Sequence, residues 1–103
     1  MTRMLVLSTK AEADLAEAVD WYNRIRPGLG DGLVLCVEQA NDRILDYPEA
    51  FPVILPGVRR ALVRRYPYGV FFRVRPMRVE VEAIFHLRTG PARLSDRFDM
   101  KPP

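Results

Sequence analysis

Apolar residues recur along this chain with two periods, and the change from one to the other divides it. Leu15, Ala18, Val19, Tyr22 and Ile25 follow helical spacing and define one buried stripe, with Glu12, Asp14, Glu17 and Asp20 covering the remaining surface. Thr9-Lys10-Ala11-Glu12 has the capping-box pattern, so a helix is expected to start there, with Ser8 a further candidate cap. The acidic residues of its first half suit the positive end of the helix dipole. Pro27-Gly28 ends the run. A second stripe, Leu33, Val37, Ala40 and Ile44 with Cys36 beside it, predicts a helix capped by Asp31 and running to about Tyr47, where Pro48 stops it. So short a connection between two helices predicts an antiparallel hairpin.

The period then becomes two. Arg3 to Ser8 is a short strand ahead of the helices, and Pro48 to Gly57 reads as a turn-rich loop. Val58 to Tyr66 is a strand in which Leu62 and Val63 compete for the core. Tyr68 to Arg75 follows, with Val70, Phe72 and Val74 on one face and Phe71, Arg73 and Arg75 on the other. After a turn at Pro76-Met77, Val79, Val81, Ala83 and Phe85 alternate with Glu80, Glu82, Ile84 and His86. The order is β-α-α-β-β-β. It predicts an α+β fold in which a helical hairpin packs on one face of a small, mostly antiparallel twisted sheet. One domain is expected over residues 1–98, with a frayed tail at 99–103.

Composition changes this picture in one respect. Residues 1–50 carry five basic and nine acidic side chains, whereas residues 51–103 carry eleven basic and four acidic, so the overall charge of +3 hides a strongly basic second half. Such asymmetry suggests an anionic partner. It equally suits a solvated basic surface. Met4 to Leu7 is too short an apolar run for a signal peptide or a membrane span, so a soluble cytosolic protein without membrane contact is expected. Cys36 is the single cysteine, which leaves no internal disulfide and reads as a core residue.

The candidate chemistry is narrow. His86 is the single histidine and no carboxylates have ligand-like spacing, so neither a metal site nor a cofactor is expected. Gly28, Gly30 and Gly32 have GxG spacing but join two helices, so they read as a loop and not a nucleotide fingerprint. What remains is arginine. Arg59, Arg60, Arg64, Arg65, Arg73, Arg75 and Arg78 are in or beside strands, and Arg88, Arg93 and Arg97 follow the last one. If helices cover one sheet face, arginines on the other would form a concave positive surface suited to phosphate oxygens. Tyr66, Tyr68 and Phe71 could stack on bases. Alternatively these arginines solubilise the sheet and pair with Glu80 and Glu82. His86 among cations could move protons in RNA cleavage, with arginines stabilising the developing charge. It could as simply close a strand with a backbone hydrogen bond.

Four segments together resemble one family. They are Ala11, Asp14, Leu15, Glu17, Ala18, Trp21 and Tyr22 in the first helix; Pro48, Glu49, Phe51 and Pro52 in the loop; Arg59, Arg60, Leu62, Arg65, Pro67 and Tyr68 around the first hairpin; and Ala83, His86, Arg88 and Pro91 at the last strand's end. In this order and spacing the chain resembles the RelE/ParE superfamily of toxins from type II toxin–antitoxin systems, most closely the ParE or plasmid-stabilisation branch. The resemblance implies a small toxin, a cognate antitoxin that wraps it, and operator DNA met only through that antitoxin. ParE-like relatives inhibit DNA gyrase without an enzymatic site; Arg59, Arg60, Arg64, Arg73, Arg93 and Tyr68 are the candidates for binding a target or a nucleic acid. RelE-like relatives cleave mRNA in the ribosome, which would give His86, Arg65 and Arg88 catalytic roles. A third possibility is an inactive relative that only binds its antitoxin. The chain departs from the nuclease pattern: Pro91 and Ala92 stand where some nucleases carry a histidine, no tyrosine follows Tyr68, and Leu94 stands where many relatives have tryptophan.

Overall fold

The computed structural model describes residues 3–98, so the tail expected at 99–103 lies outside the described residues. The chain runs β1 (Met4–Leu7), α1 (Thr9–Ile25), α2 (Leu29–Asp46), a 3-10 turn (Pro48–Ala50), β2 (Val53–Leu55), β3 (Val58–Leu62), β4 (Tyr68–Val74), β5 (Arg78–His86) and α3 (Pro91–Arg97). The five strands form one sheet in the order β1-β5-β4-β3-β2, antiparallel except where β1 lies parallel to β5. The α1–α2 hairpin is what carries the chain from one edge to the other, because a parallel neighbour needs a crossover connection. The expected α+β architecture is present, with one strand and one helix more than the sequence pattern suggested.

Local chemistry decides the helix ends. Ser8, not Thr9, caps α1: its hydroxyl accepts from the Ala11 N–H at 3.1 Å. Asp31 does not cap α2, which begins two residues earlier, after Gly28 in the left-handed conformation at φ 91°. Asn23 of α1 supplies the missing acceptor, taking the Gly30 N–H at 2.8 Å. The glycines expected to form a loop therefore lie largely inside α2, where close approach explains them. A Cβ on Gly30 would stand 2.4 Å from the Val19 carbonyl oxygen, and one on Gly32 would stand 2.4 Å from the Tyr66 hydroxyl. That hydroxyl donates to the Leu29 carbonyl at 2.7 Å, pinning α2 to the β3–β4 turn.

The sheet is buried on both faces, which corrects the expectation of one open face. Leu33, Val37, Ala40 and Ile44 of α2 with Ala18 of α1 pack against Ala61, Val70, Phe72, Val79, Val81 and Ile84. On the opposite side Val58, Phe71, Ala83 and Phe85 form a second core, closed by Leu94 from α3 and by Phe98 directly after it. Cys36 is buried in the first core, as expected, but Ile25 is 59% exposed and lies outside it. β5 contributes to both cores because it changes phase. Phe72 pairs with Val81 and Phe71 with Ala83, so Glu82 is an extra residue, a β-bulge. Before it odd-numbered side chains face the α1–α2 hairpin; after it Ile84 does, and Ala83 and Phe85 face α3.

A largely buried ion pair fastens α3 to this bulge. Arg97 meets Asp14 of α1 through two parallel hydrogen bonds, Nη1 to Oδ2 at 2.6 Å and Nη2 to Oδ1 at 3.0 Å, with side chains only 14% and 9% exposed. Arg97 also donates to the Glu82 carbonyl, and Asp14 accepts the Ile84 N–H. β1 pairs with β5 only as far as Val81, and these side chains take over the edge beyond it. Asp14 is thus a buried anchor and not the solvated helix residue its position suggested. Removing one partner strands the other charge, so Arg97→Met is expected to cost about 3 kcal/mol of stability in urea unfolding. Asp14→Leu in the same chain should recover part of that loss, but not all, because the Ile84 N–H stays without its acceptor.

Candidate functional site

The arginines of the second half do not form one surface. At the β4–β5 turn they are matched by acid: Arg73 faces Glu82 at 3.2 Å, and Glu80 takes Arg75 at 3.0 Å and Arg78 at 2.8 Å. These hydrogen bonds and cations, led by the bond from Arg75, hold the Glu80 carboxyl below its ordinary pKa. Arg59 donates to the carbonyls of Glu49 and Phe51, tying β3 to the segment before β2. Arg93 and Arg97 lie over the Phe85 ring, at 5.0 and 4.6 Å from its centroid, and Arg73 lies over Phe98. Of the cations expected to bind a target, Arg59 and Arg73 therefore also hold the fold together, and Arg93 packs its guanidinium on the second core.

At the opposite end of the sheet the cations are unmatched. Arg64 and Arg65 lie in the β3–β4 turn and Arg88 directly follows β5; all three are exposed, with no acidic partner among the described residues. The turn is held by Val63 N–H to the Tyr68 carbonyl at 2.9 Å and by Tyr68 N–H to the Tyr66 carbonyl at 2.8 Å. It forces Arg65 to φ 69°, a left-handed conformation that any residue carrying a Cβ disfavours. Tyr68 pairs with His86 across β4 and β5, so the turn, His86 and Arg88 share one rim.

His86 closes its strand through local bonds. Its Nδ1 accepts the Arg88 N–H at 3.0 Å, and its carbonyl accepts the Thr89 N–H. A neutral His86 therefore carries its proton on Nε2. Its ring stands edge-on to Tyr68 at 5.3 Å. The Tyr68 ring in turn meets Tyr22, which contacts Trp21 and Tyr66. Tyr22, Tyr68 and His86 line a groove of about 530 Å³ between α1 and the free edge of β5, walled by the exposed Trp21 and Ile25 and flanked by Glu17 and Arg93. Ile84 turns its N–H away from β4 toward Asp14, so ladder alternation points its carbonyl and the His86 N–H to the same outer edge. The pattern of the sequence assigned Ile25 to the core and left Trp21 without a role; the aromatic pair Trp21-Tyr22 beside it was the available sign of this groove.

Burial raises the Tyr68 phenol above its ordinary pKa, with Tyr22 and Glu17 adding to the effect; burial and then Tyr66 do the same to Tyr22. Among the described residues no group of three His, Cys, Asp or Glu side chains could hold a metal ion.

Sequence and fold comparisons agree on the class to which this geometry belongs. The family model for the ParE toxin of type II toxin–antitoxin systems matches residues 5–90. The chain belongs to this family. A protein named Toxin ParE2 from Mycobacterium tuberculosis, found in two strains, is 30% identical over 92 residues, covering 88% of each chain. Among solved structures, a chain of the chromosomal ParDE toxin–antitoxin system from P. aeruginosa has the same fold, with a TM-score of 0.74 at 24% identity over 82% of this chain and 96% of that one.

Two measurements probe the rim. Arg65→Gly relieves the left-handed strain and should leave stability equal or higher by about 1 kcal/mol while deleting a cation. The folded chain keeps the Tyr22 and Tyr68 protons longer than the unfolded chain does. Their stabilising contribution is therefore complete below about pH 10 and is lost as pH rises through and beyond it. Alkaline unfolding monitored by circular dichroism should be less steep in Tyr22→Phe.

Proposed function

We propose that this protein is a growth-inhibiting toxin that acts by binding DNA gyrase in the cytoplasm, not by chemistry of its own, and that a cognate antitoxin neutralises it. The reading rests on one observation. Arg64, Arg65 and Arg88, unmatched by acid among the described residues, share a rim with an apolar groove and an unpaired stretch of strand edge. A rim of free cations next to exposed aromatics suits a large, partly anionic partner better than a small substrate. Family membership supports the toxin role, and the pairing named in the solved relative supports an antitoxin.

The antitoxin would dock where the α1–β5 groove offers Trp21 and Ile25 for an apolar helix face, or the Ile84 carbonyl and His86 N–H for an added strand. Acidic residues on that segment would cover Arg64, Arg65 and Arg88 at the same time. Contact with operator DNA would then run through the antitoxin. No helix among the described residues is long and apolar enough to cross a membrane.

A second reading, a ribosome-dependent mRNA endonuclease, has in its favour that His86 shares the rim with Arg65 and Arg88. One experiment separates the two. Purified protein is titrated into a gyrase supercoiling assay and, in parallel, into a translation mixture read by primer extension. Inhibition of supercoiling, weakened about tenfold by the combined Arg65→Gly and Arg88→Ala changes, is expected. Unchanged supercoiling at stoichiometric excess would sink the gyrase target. Cuts in translated mRNA that need His86 would replace it with the nuclease. Growth unaffected by expression without the antitoxin would leave antitoxin binding as the remaining role, and a co-expression pull-down with the neighbouring gene product tests that partner directly.

A further inference from the structure

Arg60 is the cation that the rest of the fold leaves unexplained. It lies on the α3 face of β3, opposite Phe71, and is only partly exposed. Its Nε is buried without a hydrogen-bond partner. Arg43 and Arg73 also bury an Nε without a hydrogen bond, but that of Arg73 stands 3.2 Å from the Glu82 carboxylate, and each of the two donates to a backbone carbonyl through another nitrogen. No side-chain nitrogen of Arg60 has a partner among the described residues. A buried guanidinium N–H without an acceptor is costly, and such a group calls for a ligand or another specific cause.

The surroundings of Arg60 give it a place to receive one. Its stem crosses Gly69 on β4, where a Cβ would stand 3.1 Å from both Arg60 Cγ and Cδ. Beside it lies a cavity of about 200 Å³ between β2, the sheet and α3, with Leu55, Phe71, Phe85 and Leu94 as its apolar wall and His86 at its margin. No Asp or Glu lines it. The cavity adjoins the groove beside α1 across Phe85, His86 and Thr89, which line both, and it is smaller than the usual drug-sized pocket. A forked cation at one side of a side-chain-sized apolar cavity matches a carboxylate on a short apolar body.

We propose that this cavity binds such a carboxylate, with the acid paired to Arg60 and the apolar part against Phe71, Phe85 and Leu94. The same chemistry is offered by a free short-chain acid and by the C-terminal leucine of a peptide. The site does not depend on gyrase or on an antitoxin.

The test follows amide shifts by NMR on the full chain during titration with 4-methylpentanoate, its neutral amide and inorganic phosphate. Saturable shifts at Phe71, Phe85 and Leu87 are expected with the acid below about 10 mM, at least about tenfold weaker with the amide, and none with phosphate. Arg60→Met should abolish the acid's binding while the melting temperature holds, and Arg60→Lys should keep a weakened response. Hexapeptides ending in leucine, with a free or an amidated C-terminus, separate the sources. A response to the free peptide exceeding that to the short acid assigns the site to a chain end, and the reverse assigns it to a small molecule. Equal shifts from acid and amide, an unchanged response in a folded Arg60→Met protein, or no shift with any acid would overturn the proposal.

Discussion

The Asp14–Arg97 ion pair is the contact on which the far side of the sheet depends. β1 is four residues long and β5 is nine, so more than half of one edge of β5 has no strand beside it. Exposed strand edges must be covered or satisfied. Here two side chains do this: Asp14 takes an N–H from the edge and Arg97 gives a hydrogen bond to a carbonyl two residues earlier. Because one residue comes from α1 and the other from α3, the same pair joins the two layers that sandwich the sheet. Phe85, lying beneath both Arg93 and Arg97, adds an aromatic surface to the clasp.

Charge follows the same logic of position. The second half of the chain is strongly basic, yet two of its four acids, Glu80 and Glu82, lie in the first five residues of β5. The arginines near them are consumed in pairs or by backbone carbonyls. Those near the other end have no such neighbours among the described residues. A uniform basic stretch in sequence thus becomes a neutralised end and a cationic rim. The twelve residues separating Arg75 from Arg88 contain both acids, and the β4–β5 hairpin is what sorts them.

Much of the architecture was legible. Helical periodicity located α1 and α2 because each buries one stripe, and alternation located β4 and β5 because apolar and charged residues alternate on either side of their shared turn, in Phe72-Arg73-Val74 and Val79-Glu80-Val81-Glu82. The misses have physical causes. β2 is three residues long and irregularly paired with β3, too short for a period to register. α3 is seven residues with no buried residue of its own, and only the spacing of Leu94 and Phe98 hinted at it. The phase change at Glu82 was invisible because Ala83, Ile84 and Phe85 are all apolar, so either register satisfies the pattern. The site was read in part. Arg64, Arg65, Arg88 and His86 do share one rim, but the role of Arg97 required seeing Asp14, a residue 83 positions away.

The bulge at Glu82 also constrains how this chain can change length. Inside β5 each residue faces one side of the sheet or the other according to whether its number is odd or even, and the bulge inverts that assignment once. A single insertion or deletion between Glu82 and His86 would invert it again, sending Phe85 toward the helical hairpin and Ile84 toward α3. Changes of two residues would preserve the assignment and alter only the reach of the strand. The last strand is therefore a counted segment, in which tolerance to added or lost residues depends on parity more than on size.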